Sequence, residues 1–200
     1  MKKKKFCHLN IAVELTQDSI LPRDKTCMII GAMVSRFRVL YCIYNDGCTS
    51  CKNSDFCIIQ NMMGDDFDIK KPIAMQHELQ PKFVIQSLDK RNKFKEGDIL
   101  QFEIILFGNL VALFSQYIYV FDTLGHIGIG PNRIKYQLLY VSDMYGNVIY
   151  KDGYLLKNVG TSHIYEYVES RLKCNNLNKM SFRSPCSLYI SSENRYFINN

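Results

Sequence analysis

Two short stretches concentrate the side chains that could do chemistry. The first, CIYNDGCTSCKNSDFC, places Cys42, Cys48, Cys51 and Cys57 in sixteen residues, half of the eight cysteines in the chain. Its central pair has the C-x-x-C spacing that lets two thiolates reach one tetrahedral ion. The outer gaps of five residues are wider than the usual two to four, so the pattern admits a structural zinc, an iron–sulfur cluster or unligated thiols. The second stretch, GHIGIGPNRIKY, carries Gly125, Gly128 and Gly130 followed by Arg133 and Lys135. Glycines let a phosphate or sugar approach main-chain amides closely. A nucleotide-binding glycine turn, however, follows a strand and opens a helix, whereas this one follows an apolar helical stretch and opens a strand. The stretch therefore reads either as a helix cap at Gly125 with a tight turn, or as a loop that lays Arg133 and Lys135 on an RNA backbone.

Of the four histidines, His126 in the glycine stretch is the best placed to act as the base of a metal-free ribonuclease, and His8 on the polar face of a strand comes second. His77 and His163 lie in less readable surroundings. Asp65, Asp66 and Asp68 read as a solvated loop. LQFEIILF, Leu100 to Phe107, lacks the aromatic pattern of a base-stacking RRM strand, and serine-triad and P-loop signatures are absent.

The elements that must position these residues follow from periodicity. Leu9, Ile11, Val13 and Leu15 alternate with polar or small residues, which predicts a half-buried strand. Asp24 can cap a helix whose Ile29, Met33, Phe37 and Leu40 repeat at three and four. About forty residues with few clear elements follow. Strands are then predicted at Phe83 to Gln86 and Ile99 to Phe107. A helix from an N-cap at Asn109 carries Leu110, Leu113, Phe114, Tyr117, Ile118, Phe121 and Leu124 on one stripe. Ile134 to Ser142 reads as a strand, and Tyr145-Gly146-Asn147 as a turn into Val148 to Tyr150. The fold class is therefore α+β, with the β-α-β-β-α-β order of a ferredoxin-like (RRM-like) domain, its glycine-rich loop before the last strand and one sheet face open. Residues 1–150 form that domain, with the cysteine-rich insertion at 42–57. Residues 151–200 supply a helix, with Thr161 or Ser162 as cap and Ile164 to Leu172 as body, and a strand at Met180 to Ile190. They read as the start of an incomplete second domain.

Composition bounds the function classes. Four of the 25 basic residues are Lys2 to Lys5; without them 21 face 19 acidic ones, so the formal charge of +6 says little about nucleic acid. The charged start runs into an alternating stretch rather than a solid apolar one, which argues against a signal peptide. Ile104 to Phe121 contains Gly108, Asn109, Ser115 and Gln116, which argues against a membrane span. Eight cysteines without a secretory leader point to a reducing cytoplasm.

In order along the chain, CMIIGAMV, the C-x5-C-x2-C-x5-C cluster, Lys71-Pro72, EGDILQFEIILFG, an apolar helix and GHIGIGPNRIKYQLLYV resemble the Cas6-type RAMP proteins of CRISPR systems. MSFRSPCSLYI is similar to the strand that opens their second half. The resemblance implies a CRISPR repeat RNA-binding protein and association with other Cas subunits. Where catalytically complete, it implies an endoribonuclease that needs no metal for catalysis and leaves 2′,3′-cyclic phosphate ends. The chain departs from the pattern in three ways. Ile30 stands where an arginine often precedes the helical glycine, the first helix has no histidine, and fifty residues after Tyr150 cannot hold a second domain. A non-catalytic RNA-binding subunit, or a zinc-stabilised protein-interaction module, are the alternatives.

Overall fold

The computed structural model describes residues 4–42, 51, 57–64, 82–164, 166–167, 186–190 and 195–199. The chain divides into two units, Met1–Tyr165 and Glu166–Asn200.

The first unit is α+β and is built around one strand. β1 (Lys5–Leu15) places Cys7, Leu9, Ile11, Val13 and Leu15 in the core, and His8, Asn10 and Glu14 on the other face. It begins four residues before the predicted alternation, because Phe6 and Cys7 are buried behind the lysine run. β1 pairs antiparallel with β5 (Ile99–Phe107) on one side and β6 (Tyr136–Asp143) on the other. β3 (Phe83–Gln86) adds to the far edge of β5, while β7 (Val148–Lys151) and β8 (Tyr154–Leu155) extend the sheet beyond β6. β9 (Ser162–His163) pairs with Lys5 and Phe6. Ser162 therefore lies in a strand, where the sequence suggested a helix cap. Of the helix expected over Ile164 to Leu172, Ile164, Glu166 and Tyr167 are helical and the rest falls outside the described residues.

Two long helices cover one face of this sheet. α1 (Thr26–Tyr41) starts where the Asp24 carboxylate accepts the Thr26 N–H at 2.9 Å; that bond holds the Asp24 carboxyl below its ordinary pKa. α1 buries Ile29, Met33, Val34 and Phe37. α3 (Phe114–Ile127) packs against it through an edge-to-face contact between Phe37 and Tyr117, ring centroids 4.8 Å apart. Arg36 Nε also donates to Thr123 Oγ1 across the pair at 3.0 Å. Against the sheet, Phe121 meets Phe102 edge-on at 5.1 Å. Fully burying one such aromatic side chain stabilises by about 1.5–3 kcal/mol.

The central strand order β3-β5-β1-β6, antiparallel throughout with α1 and α3 on one face, is compatible with a ferredoxin-like fold. Two additions interrupt the plain order. α2 (Ile58–Met63) buries Ile59, Met62 and Met63 in the stretch with few clear elements in the sequence. A ribbon of β2 (Ser19–Ile20) and β4 (Lys93–Phe94) flanks the sheet. The second long helix also departs from expectation. Asn109 is not its cap: Gly108, at φ +63, turns the chain into a 3-10 segment, Gly108–Leu113, and Asn109 donates instead to Asn61 Oδ1 at 2.9 Å.

The predicted turn at Tyr145 to Asn147 is present and is organised by Asp143, which is almost fully buried. Its carboxylate accepts the N–H groups of Tyr145, Asn147 and Gly160 at 3.0, 2.9 and 3.1 Å. Burial alone would raise its pKa, but these bonds and those from the Asn147 side chain outweigh it and hold the group below the usual carboxylate range.

In the second unit, β10 (Cys186–Ile190) pairs antiparallel with β11 (Arg195–Asn199). β10 realises the second half of the strand predicted from Met180. No described helix is long and apolar enough to cross a membrane.

Candidate nucleic-acid interface

The glycine stretch is a small hairpin. α3 continues through Gly125 and His126, and the helix ends at Gly128, whose N–H reaches the Leu124 carbonyl at 2.7 Å with φ +91. The cap is therefore three residues later than the sequence suggested. Gly125 lies inside the helix because the helix must approach β6 there. A Cβ on it would sit 2.4 Å from the Tyr136 carbonyl oxygen, and the Tyr136 hydroxyl donates back to the Phe121 carbonyl at 2.6 Å. Beyond the cap, Ile129 and Ile134 exchange backbone bonds of 2.9 Å, and the Arg133 N–H closes a turn on Gly130 at 3.1 Å. Gly128 faces the backbone of Arg133, and Gly130 faces the sulfur of Met28 on α1.

This geometry separates two meanings of the glycines. The amides of Gly128, Ile129, Arg133 and Ile134 are all bonded within the chain, so they do not form a cradle of free donors for phosphate. The three glycines allow close packing, and what the hairpin offers outward is charge. Arg133, held at φ +45, and Lys135 are both exposed. A groove of about 500 Å³ runs beside them between α1 and the hairpin, with Arg36 and Arg133 among its lining and Cys27, Met28 and Ile127 supplying apolar surface.

The opposite, open face of the sheet holds His8. Its Nε2 lies 3.2 Å from the Glu103 carboxylate but off the hydrogen-bonding direction, so the two are close without a hydrogen bond between them. Glu103 is fixed by Gln86, whose Nε2 donates to it at 2.8 Å. Beside this pair a cavity of about 550 Å³ opens over β1, β5 and β6, walled by Leu88, Asp89 and Arg91.

That wall is held by Lys25, the residue that precedes α1. Lys25 is fully buried, and its ammonium donates to the carbonyls of Asp89 and Arg91 at 2.8 and 2.7 Å, 5.3 Å from the centre of the Phe94 ring. Desolvation lowers its pKa. Arg91 lies over the same ring at 4.6 Å and grips Asp89 at 2.7 Å, which keeps the Asp89 carboxyl below its ordinary pKa. A lysine at the start of an amphipathic helix reads as solvated, and only the tertiary partners reveal otherwise.

The remaining candidates are dispersed. His126 is exposed on the last turn of α3 with no carboxylate partner among the described residues, while His163 sits in β9 beside Lys5. Cys42 follows α1 and Cys57 precedes α2; with Cys51 they are half-buried. Cys48, His77 and the acids Asp65, Asp66 and Asp68 lie outside the described residues. Among the described residues no three His, Cys, Asp or Glu side chains gather as one ion would require, so the described donors do not by themselves make a zinc site.

No curated protein matches the sequence. Two solved structures that it resembles are a partial Cas6-RT-Cas1–Cas2 complex and a Cas6-RT-Cas1–Cas2 complex, each at 12% identity and a TM-score of 0.47. The likeness covers 88% of this chain but only 24% and 15% of those chains, so the protein spans a quarter of their length or less. Residues 4–161, which take in the sheet except β9, both long helices and the glycine hairpin, match a family described as an N-terminal domain. The chain belongs to this AF_1859_N family.

Proposed function

We propose that the protein is an RNA-binding module of the Cas6-like RAMP kind, with ferredoxin-like β-α-β-β-α-β topology at its centre and CRISPR repeat RNA as its partner. The observation that carries the reading is the hairpin between α3 and β6. Its glycines seat it against α1 and β6, and they leave Arg133 and Lys135 exposed, with Arg133 sharing a groove with Arg36. Exposed guanidinium and ammonium groups on a hydrogen-bonded turn suit a phosphate backbone, because each contact releases condensed counterions. The order of sequence features that resembles Cas6-type proteins supports the same reading.

If the module also cleaves, the chemistry needs a base on the 2′-hydroxyl. The 2′-oxygen attacks the adjacent phosphorus, the bond from phosphorus to the 5′-oxygen breaks, and the departing 5′-hydroxyl takes up a proton, leaving a 2′,3′-cyclic phosphate. Of the two histidine candidates, His8 has a carboxylate 3.2 Å from its Nε2, and that carboxylate borders a cavity, while His126 has no carboxylate partner among the described residues. We therefore favour His8 over His126.

The test is incubation of the chain with labelled repeat RNA, with and without chelator. Cleavage that survives chelation, is lost in His8→Ala and persists in His126→Ala supports the catalytic form. Binding with no cleavage assigns the protein to the non-catalytic subunits, and absence of binding removes the RNA reading altogether.

A further inference from the structure

We infer that the open-face cavity is a pocket for one unstacked, amine-bearing nucleobase of single-stranded RNA; this rests on the RNA reading above and names the part of the ligand that the sheet would take. Strand register places six side chains in a grid on this face. Gln101, Ala12 and Tyr140 stand opposite one another across β5, β1 and β6, and Glu103, Asn10 and Ser142 form the next row. With strands about 4.8 Å apart and same-face residues about 6.8 Å apart, the grid spans about 10 by 7 Å, the scale of one base. Ala12 in the middle leaves the dent, and the cavity of about 550 Å³ opens over it.

The lining chemistry selects the ligand. Among the described residues the side chains of Gln101, Tyr140 and Ser142 have no hydrogen-bonding partner, and Asn10 makes only a long 3.4 Å bond to the Asp143 carbonyl. An amide, a phenol and a hydroxyl with capacity to spare match the donors and acceptors on a base edge. Two carboxylates, Asp89 and Glu103, border the cavity against one guanidinium, Arg91. A phosphate is disfavoured there, whereas an exocyclic amine can donate to Glu103, as cytosine N4 does to acidic side chains. Uracil has no such amine. The wall opposite is fixed in advance: Lys25 ties Asp89 and Arg91, and Ser87 Oγ donates to the Gln101 carbonyl at 3.1 Å. A pre-formed wall lowers the ordering cost of binding.

Fluorescence anisotropy with short labelled oligo-A, oligo-C and oligo-U tests this on the full chain. Wild type is expected to bind oligo-A and oligo-C about tenfold tighter than oligo-U, the discrimination of one good base contact. Gln101→Ala, at an exposed position, should weaken oligo-A and oligo-C while leaving oligo-U unchanged. Glu103→Gln should narrow the preference. Ala12→Leu, which fills the dent, should erase it, with circular dichroism to verify the fold; if that variant unfolds, Gln101→Ala decides alone. Equal affinity of wild type for all three oligonucleotides, or indifference to Gln101→Ala, overturns the pocket and leaves RNA binding standing. No binding to any of them at low salt overturns the RNA reading itself, and the pocket with it.

Discussion

Replacing Gly125 with alanine sets helix propensity against packing, and the two predict opposite signs. Gly125 is in the interior of α3 without a positive φ, so on propensity alone alanine would stabilise by about 1 kcal/mol. The new Cβ, however, would meet the Tyr136 carbonyl oxygen at 2.4 Å and the Tyr136 ring at 3.2 Å. The oxygen belongs to the backbone of β6, which is paired to β1 on one side and β7 on the other, and Tyr136 is anchored to α3 through its hydroxyl. Neither side can yield the missing ångström without breaking pairing. Overpacking of this kind costs about 1–3 kcal/mol, and we take the upper end because the partner is main chain. The net expectation is a loss of about 2 kcal/mol, or about 4–8 °C in Tm. Gly31, in the interior of α1, is the control: nothing lies within 4 Å of its Cβ position, so Gly31→Ala should stabilise by up to about 1 kcal/mol. Thermal melts and urea titrations of both variants read the result. A rise in Tm for Gly125→Ala would refute the claim that this glycine exists for close contact between α3 and β6.

Further predictions concern the buried charges. Asp143→Ala leaves three backbone N–H groups without their acceptor and should cost about 3 kcal/mol, measured by urea unfolding at neutral pH. Because the folded-state pKa of Asp143 is lowered, its contribution is complete above the unfolded value of about 3.9 and declines as pH falls through the folded value. Stability of the wild type should therefore fall in that acid range more steeply than that of Asp143→Asn. Lys25→Met strands the carbonyls of Asp89 and Arg91 and should destabilise by about 2 kcal/mol, with faster hydrogen exchange over the segment from Ser87 to Asn92.

Much of the sheet was legible because its signal is local. Alternation locates β1, the turn residues Glu96, Gly97 and Asp98 announce β5, and the stripe from Leu110 to Leu124 locates the second long helix. What escaped depended on partners distant in sequence. α2 has six residues, too few for helical period to emerge, and the β2–β4 ribbon has two residues per strand. The sequence puts the helix stop at the first glycine, whereas packing against Tyr136 requires that glycine and the cap is Gly128. His8 was assigned to the polar face correctly, but its neighbour Glu103 is set by the register of β5 on β1, which no local pattern reveals. The same holds for the grid around Ala12.

The central claim is that the hairpin between α3 and β6 meets an RNA backbone, and the salt dependence of binding addresses it directly. Labelled single-stranded repeat RNA would be titrated with wild type and with the Arg133→Ala/Lys135→Ala double variant between about 50 and 200 mM salt. Loss of two phosphate contacts should flatten the slope of log affinity against log salt by about 1.4, while the melting temperature stays at the wild-type value because both side chains are exposed. An unchanged slope in the double variant would contradict the account.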